Sequence, residues 1–128
     1  MRIITLNANG IRAAARKGFF QWLPRQKADV VCIQETKAQV HQLESDPVFF
    51  PRRWQVFYED AERKGYSGTA LFCRREPDEI IRGFGVPEFD DEGRYLEARF
   101  GRLSVISLYA PSGSSNEERQ ASKFRFME

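Results

Sequence analysis

Val30-Val31-Cys32-Ile33-Gln34-Glu35-Thr36-Lys37 decides how the rest of the chain is read. Four consecutive apolar residues lead through Gln34 into a carboxylate, with an ammonium two positions beyond it. An unbroken apolar run of this length fits a strand covered on both faces, as in a parallel sheet with helices over it. Glu35 then falls at the carboxyl end of a buried strand, where open α/β sheets place their ligands. Taken alone, a carboxylate after a strand is most often solvated. The assignment therefore depends on what else the chain brings to the same edge.

Upstream, Arg2 to Asn7 carries Ile3, Ile4 and Leu6 and reads as a first strand, ended by the turn chemistry of Asn9-Gly10. Ile11, Ala15, Phe19 and Leu23 recur at four-residue intervals, a helix stripe that Gly18 and Pro24 shorten or kink. Asp29 opens the next strand. Strand, helix and strand in this space form a βαβ unit, whose right-handed crossover makes the two strands parallel. Parallel neighbours finish at one sheet edge, so Asn7 and Glu35 converge. An amide and a carboxylate meeting there suit a metal or a phosphate.

Downstream the pattern changes. Ala38 to Arg53 is irregular, with Pro47 and Pro51 as breakers; the single histidine, His41, lies there among Gln39, Gln42 and Glu44 and reads as solvated. Trp54, Val56 and Tyr58 alternate with Gln55, Phe57 and Glu59, which predicts a strand. Thr69 to Cys73, Glu79 to Arg82, Tyr95 to Phe100 and Leu103 to Tyr109 predict four more. Short strands joined by Gly and Asp turns imply antiparallel pairing after the opening βαβ. Ser115-Asn116-Glu117-Glu118 matches a capping box, and Ala121, Phe124 and Met127 would line one face of the helix that follows. With Glu128 still inside that helix, residues 1–128 read as half of a larger domain.

Composition narrows the class. An apolar content of 41% with 30% charge is ordinary for a soluble domain. A net charge of +2 and a pI near 8.7 permit a nucleic-acid partner without requiring one. Cys32 and Cys73 sit in apolar runs with no Cys or His at ligand spacing, so they read as core residues of a reducing compartment. No apolar run reaches membrane-spanning length. The N-terminus enters a strand pattern without a signal-peptide layout. The expected setting is cytoplasmic, with no membrane partner.

Asn7-Ala8-Asn9-Gly10-Ile11-Arg12, Gln34-Glu35-Thr36-Lys37, Gly65-Tyr66-Ser67-Gly68, Glu92-Gly93-Arg94 and Tyr109-Ala110-Pro111 occur together in this order. As a set they resemble the exonuclease III-type apurinic/apyrimidinic endonucleases, within the larger endonuclease/exonuclease/phosphatase fold. The resemblance runs from Met1 to about Phe126 but covers only the N-terminal half of that family's length. It implies an α/β (α+β) chain forming half of a four-layered sandwich, with two face-to-face β-sheets flanked by helices. It also implies a metal-dependent DNA-repair phosphodiesterase that cleaves 5′ to abasic sites and trims 3′ ends. The implied partner is double-stranded DNA with abasic or damaged sites.

By this resemblance Glu35 binds the catalytic Mg²⁺, with Mn²⁺ as the alternative, and Asn7 orders the metal and phosphate region. Tyr109 approaches the scissile phosphate, where its hydroxyl can donate to a developing oxyanion. Lys37 and Asn9 stand behind these groups; Asn9 falls where some relatives carry Asp, so an acceptor survives without the charge. Arg63, Lys64, Gly65 and Tyr66 match a DNA-contacting loop, with cations for phosphates and an aromatic to stack or wedge. Arg94 matches an arginine near the active site and is expected to bind DNA with that loop. The family's histidine, its partner aspartate and its Gly-Asp-x-Asn segment belong to the second half and do not occur here. The chain alone is therefore expected to be inactive, and to pair with the missing C-terminal half or with a second copy.

Two other readings remain. One is the same fold acting on a lipid or inositol phosphate, against which the Gly-Tyr-Ser-Gly and Glu-Gly-Arg segments argue. The other is a non-catalytic module that binds nucleic acid or a partner. Half a sandwich carries one further expectation. One apolar sheet face would lack its partner sheet, stranding Trp54, Val56 and Tyr58, or Leu96, Ala98 and Phe100.

Overall fold

The apolar run forms β2 (Val30–Gln34), and β1 (Ile3–Asn7) lies parallel to it in a register from Ile3↔Val30 to Asn7↔Gln34. The structure, a computed structural model, describes residues 1–111 and residue 126. Between the two strands the expected helix is broken into α1 (Ile11–Arg16), α2 (Phe19–Trp22) and a 3₁₀ turn over Leu23–Gln26. Gly18 takes φ 97° at the break, a left-handed conformation that ends one helix and redirects the next. The stripe nevertheless points inward, since Ile11, Phe19 and Leu23 are all buried.

The segment that reads as irregular contains α3 (Val40–Leu43), capped reciprocally by the Gln39 and Gln42 side chains, and a 3₁₀ turn at Pro47–Phe49. Then β3 (Gln55–Glu59) pairs antiparallel with β4 (Thr69–Cys73), and β4 pairs antiparallel with β2. The first sheet therefore has the order β1-β2-β4-β3. A second, antiparallel sheet has the order β5-β6-β7, from β5 (Glu79–Arg82), β6 (Tyr95–Phe100) and β7 (Leu103–Leu108). One turn of helix, α4 (Pro87–Asp90), lies in the β5–β6 connection, where the sequence reading placed no element. The capping box at Ser115 and its helix lie outside the described residues.

The two sheets pack on each other within the chain, which overturns the expectation of a stranded face. Leu96, Ala98, Phe100 and Val105 of the second sheet meet Val30, Cys32, Leu71 and Cys73 of the first in one buried cluster. The opposite face of the first sheet, with Val31, Ile33, Trp54, Tyr58 and Phe72, is covered by Ile11, Phe19, Leu23, Leu43 and Phe49. Trp54 and Tyr58 keep only 8% and 6% of their surface, and Leu96 and Ala98 none. The reason is that residues 79–108 build the facing sheet themselves. On the strands, exposed large apolar side chains are Ile3 on β1 and Leu103, Ile106 and Leu108 on β7, each strand forming one edge of its sheet.

Burial between the sheets pushes the Cys32 and Cys73 thiols up to about 11 and about 12. Both stay protonated and serve as core side chains. A polar tie crosses the same interface at one end. Ser107, fully buried, donates from Oγ to the Ile33 carbonyl (2.9 Å) and accepts from Gln34 Nε2 (3.3 Å).

Candidate active site

Strand directions bring the motif residues to that end. Asn7 is registered with Gln34, and Gln34 with Thr69, so the ends of β1 and β2 meet the start of β4. Tyr95 is registered with Leu108, so the start of β6 meets the end of β7. Asn7, Glu35, Ser67, Arg94 and Tyr109 therefore share one edge of the sandwich, although they sit at or beside the ends of different strands from both sheets.

At its centre four side chains close a ring. Asn7 Nδ2 donates to Glu35 Oε1 at 3.1 Å, and Asn7 Oδ1 accepts from the Asn9 backbone N–H at 2.9 Å. Asn9 Oδ1 in turn accepts from Lys37 Nζ at 2.7 Å, and Lys37 Nζ pairs with Glu35 Oε2 at 3.1 Å. Backbone bonds hold the two segments together, from Ala8 N to Gln34 O, Gly10 N to Glu35 O and Ile11 N to Thr36 O. Because the Asn9 N–H needs an acceptor, Asn7 must turn its oxygen toward it and its NH₂ toward Glu35. Burial pushes the Glu35 carboxyl up, but hydrogen bonds from Asn7 and Lys37, the Lys37 charge and a hydrogen bond from Tyr109 outweigh it. The net position is below the usual carboxylate range. Glu35 is a carboxylate at any physiological pH.

Tyr109 is its other neighbour. Burial, then the Glu35 charge and the hydrogen bond to it, push the phenol up against the opposing charge of Arg94. Tyr109 therefore stays protonated and presents a donor. Arg94, 2% exposed, lies beneath: Nη1 donates to the Tyr109 carbonyl (3.0 Å), and Nη2 to Tyr66 Oη (2.8 Å) and Glu92 Oε2 (3.2 Å). The Arg63 guanidinium lies 5.2 Å from the Tyr66 ring centroid, and Lys64 and Gly65 are exposed. An open groove of about 360 Å³ runs past Gly10, Arg12, Ala13, Arg16, Lys37 and Gly65.

The backbone here is strained. Asn9, Glu35, Lys37 and Ser67 all have positive φ (46°, 59°, 52° and 52°), a region that costs side-chain-bearing residues on the order of 1 kcal/mol or more. Among the described residues Lys27 is the other case without glycine. Ser67 is also buried, with an Oγ that has no hydrogen-bond partner. Ser67→Gly should therefore stabilise the fold by about 1 kcal/mol, since relief of φ and of the orphan hydroxyl outweighs glycine's added entropy. Urea denaturation with an unchanged m-value would show it; a lower midpoint would mean that the hydroxyl is bonded.

The structure thus brings Asn7, Asn9, Glu35, Lys37, Tyr109, Arg94 and Tyr66 together, with Arg63, Lys64 and Gly65 on the adjoining loop. It leaves His41 exposed on α3, apart from this edge. Sequence reasoning assigned no role to Glu92 or Arg12. Glu92 anchors Arg94, and Arg12 Nη2 donates to the Lys37 carbonyl at 3.2 Å. Both sit inside the quoted motifs, so motif membership was the available signal.

For a cation the donor set is lean. Glu35 offers a carboxylate and Asn7 an amide oxygen with one lone pair left, and the described residues contain no group of three or more His, Cys, Asp or Glu at ligand distance. Hard oxygens in small number suit a Mg²⁺-type ion, which keeps several waters, better than a caged Ca²⁺ or a zinc site.

Both sheets thus contribute to one edge that carries a carboxylate, an amide and a phenol. The chain belongs to the Endonuclease/Exonuclease/phosphatase family, whose model matches residues 4–127. That family is generally dependent on divalent metal. The chain is similar to an exodeoxyribonuclease of Bacillus subtilis (strain 168), 40% identical over 120 residues that cover 93% of this chain and 46% of that protein. To the DNA repair nuclease APEX1 of Danio rerio it is 34% identical, over 89% of this chain and 37% of that protein. The solved structure of an AP endonuclease from Archaeoglobus fulgidus superposes with a TM-score of 0.82 at 28% identity, covering 99% of this chain and 48% of that one. The chain spans about half the length of these relatives, or less. Among the described residues no helix is long and apolar enough to cross a membrane.

Proposed function

We propose that residues 1–128 are the N-terminal half of a single domain of a DNA-repair phosphodiesterase of the exonuclease III type. The enzyme would cleave 5′ to abasic sites in double-stranded DNA and trim 3′ ends, in the cytoplasm, where Cys32 and Cys73 remain free thiols. The observation that carries the reading is the ring around Glu35, with the protonated Tyr109 hydrogen-bonded to the same carboxylate. Glu35, oriented by Asn7, would hold Mg²⁺ (Mn²⁺ as the alternative), and the cation when bound supplies positive charge against the charge developing on the phosphate. Lys37 and Asn9 keep Glu35 ionised and fixed. Tyr109 can turn its O–H from Glu35 to a phosphate oxygen, where it would donate to the developing charge. Arg63, Lys64 and the groove cations Arg12 and Arg16 suit the phosphates of a duplex, and Tyr66 supplies an aromatic face beside them.

Neither a histidine nor a second carboxylate joins the ring among the described residues, so the proton acceptor must come from elsewhere. The test joins residues 1–128 to the second half of the Bacillus subtilis relative and assays an end-labelled duplex carrying one abasic-site analogue in Mg²⁺. The expected product is a nick 5′ to the lesion, with the 128-residue chain alone slower by more than the roughly 10²–10⁴-fold that general acid–base groups supply, since site carboxylates are missing as well. A folded chimera that spares this duplex but hydrolyses an inositol phosphate would replace the reading. So would one that binds the duplex without cutting it.

A further inference from the structure

We infer that Arg94 is a positioning residue that locks the Tyr66 loop to the end of β7, so that Tyr66 and Tyr109 are held as one unit, and that it does not itself meet DNA. The inference deepens the nuclease reading, on which its consequence for catalysis rests. Burial is the first ground: at 2% exposure the Arg94 side chain offers almost no surface to a phosphate, which must reach a donor from solvent. The second is occupancy. Nη1 is engaged by the Tyr109 carbonyl, Nη2 by Tyr66 Oη and Glu92 Oε2, and Nε is buried without a partner.

The third ground is reciprocity. Tyr109 N–H donates to the Arg94 carbonyl at 3.0 Å, so main chain and side chain of Arg94 grip the same residue from both sides. The guanidinium carbon also lies 5.1 Å from the Tyr109 ring centroid and 5.7 Å from that of Tyr66, within cation–π range of both. Two partners 28 and 15 residues away are thus joined through one planar fork. A lysine carries a single nitrogen and cannot span them. Because Tyr109 hydrogen-bonds Glu35, the Tyr66 loop that would touch substrate is linked through Arg94 to the reacting edge.

Amide hydrogen exchange on the 128-residue chain tests the strut without any assay of function. Arg94→Met should accelerate exchange at least about tenfold both at 65–68 and at 108–110, while amides of β1 and β2 hold their wild-type rates. Arg94→Lys should restore only part of the protection. If Arg94→Met loosens every segment, Tyr66→Phe decides, since it removes one hydrogen bond and should accelerate the same two segments by less. Acceleration confined to 93–95 in either variant overturns the strut. Salt dependence of duplex binding supplies the second arm. The slope of log K against log salt should match wild type in Arg94→Met, whereas a direct phosphate contact would lower it by about one. A wild-type chain that binds no duplex would count against the nuclease reading and leave the exchange result to judge Arg94.

Discussion

Glu35→Gln in the chimera is expected to reduce abasic-site incision by about 10³-fold, equivalent to about 4 kcal/mol of transition-state stabilisation, with KM for the duplex little changed. The substitution keeps the side chain's length and its acceptor oxygen toward Asn7 Nδ2 but deletes the one anionic charge of the ring. DNA affinity should largely survive, because Arg63, Lys64, Arg12 and Arg16 form no ion pair with Glu35, and only Lys37 loses its partner charge. A kcat loss with intact KM is the signature of a group that acts in the transition state. A drop of less than tenfold would show that the cation is held elsewhere.

Acid should have a separate and smaller effect on stability. The folded pKa of Glu35 is depressed below its unfolded value, so its contribution is present above about pH 4.3, the ordinary glutamate value, and fades as pH falls through the lower folded value. Wild-type and Glu35→Gln stabilities should therefore converge only in strong acid. An acid limb of activity near pH 6 must belong to another group.

Much of the strand layout could be read from the chain because β2 is apolar on both faces and the later strands alternate. The parallel β1–β2 pair follows from the short crossover, and it places Asn7 beside Glu35. Other features had no local signal. Alternation reports that Trp54, Tyr58, Leu96 and Ala98 are buried but not which layer buries them, so the facing sheet built from residues 79–108 was missed. Glu35 and Lys37 adopt left-handed backbone although neither residue type favours it; the strain is imposed by the strand-end hydrogen bonds to Gly10 N and from Thr36 N to Gly68 O. Arg94 reads as a DNA-binding arginine near the active site, and its burial depends on partners that only the folded loop and β7 bring to it.

Gly93 should not tolerate even the methyl group of alanine in place of one hydrogen. It precedes Arg94 at φ 60°, and a Cβ built there would lie 2.5 Å from the Glu59 carbonyl oxygen and 2.6 Å and 2.7 Å from the Asp60 carbonyl carbon and oxygen. These are backbone atoms at the end of β3, a strand already fixed to β4, so the clash cannot be relieved by a rotamer change. Gly101 is the matched control: its φ is 61°, and nothing lies within 4 Å of its Cβ position. Gly101→Ala should cost about 1 kcal/mol from backbone conformation alone. Gly93→Ala carries the same conformational cost plus displacement of the 59–60 backbone, for a total of about 3–5 kcal/mol. At about 3–5 °C per kcal/mol for a chain of this size, Tm should fall by roughly 10–20 °C, against a few degrees for the control. The displacement also unseats Arg94, so faster amide exchange at 65–68 and 108–110 should accompany it. Equal losses in the two variants would mean that the 92–94 turn stands off from β3, and that the close approach that seats Arg94 is absent in solution.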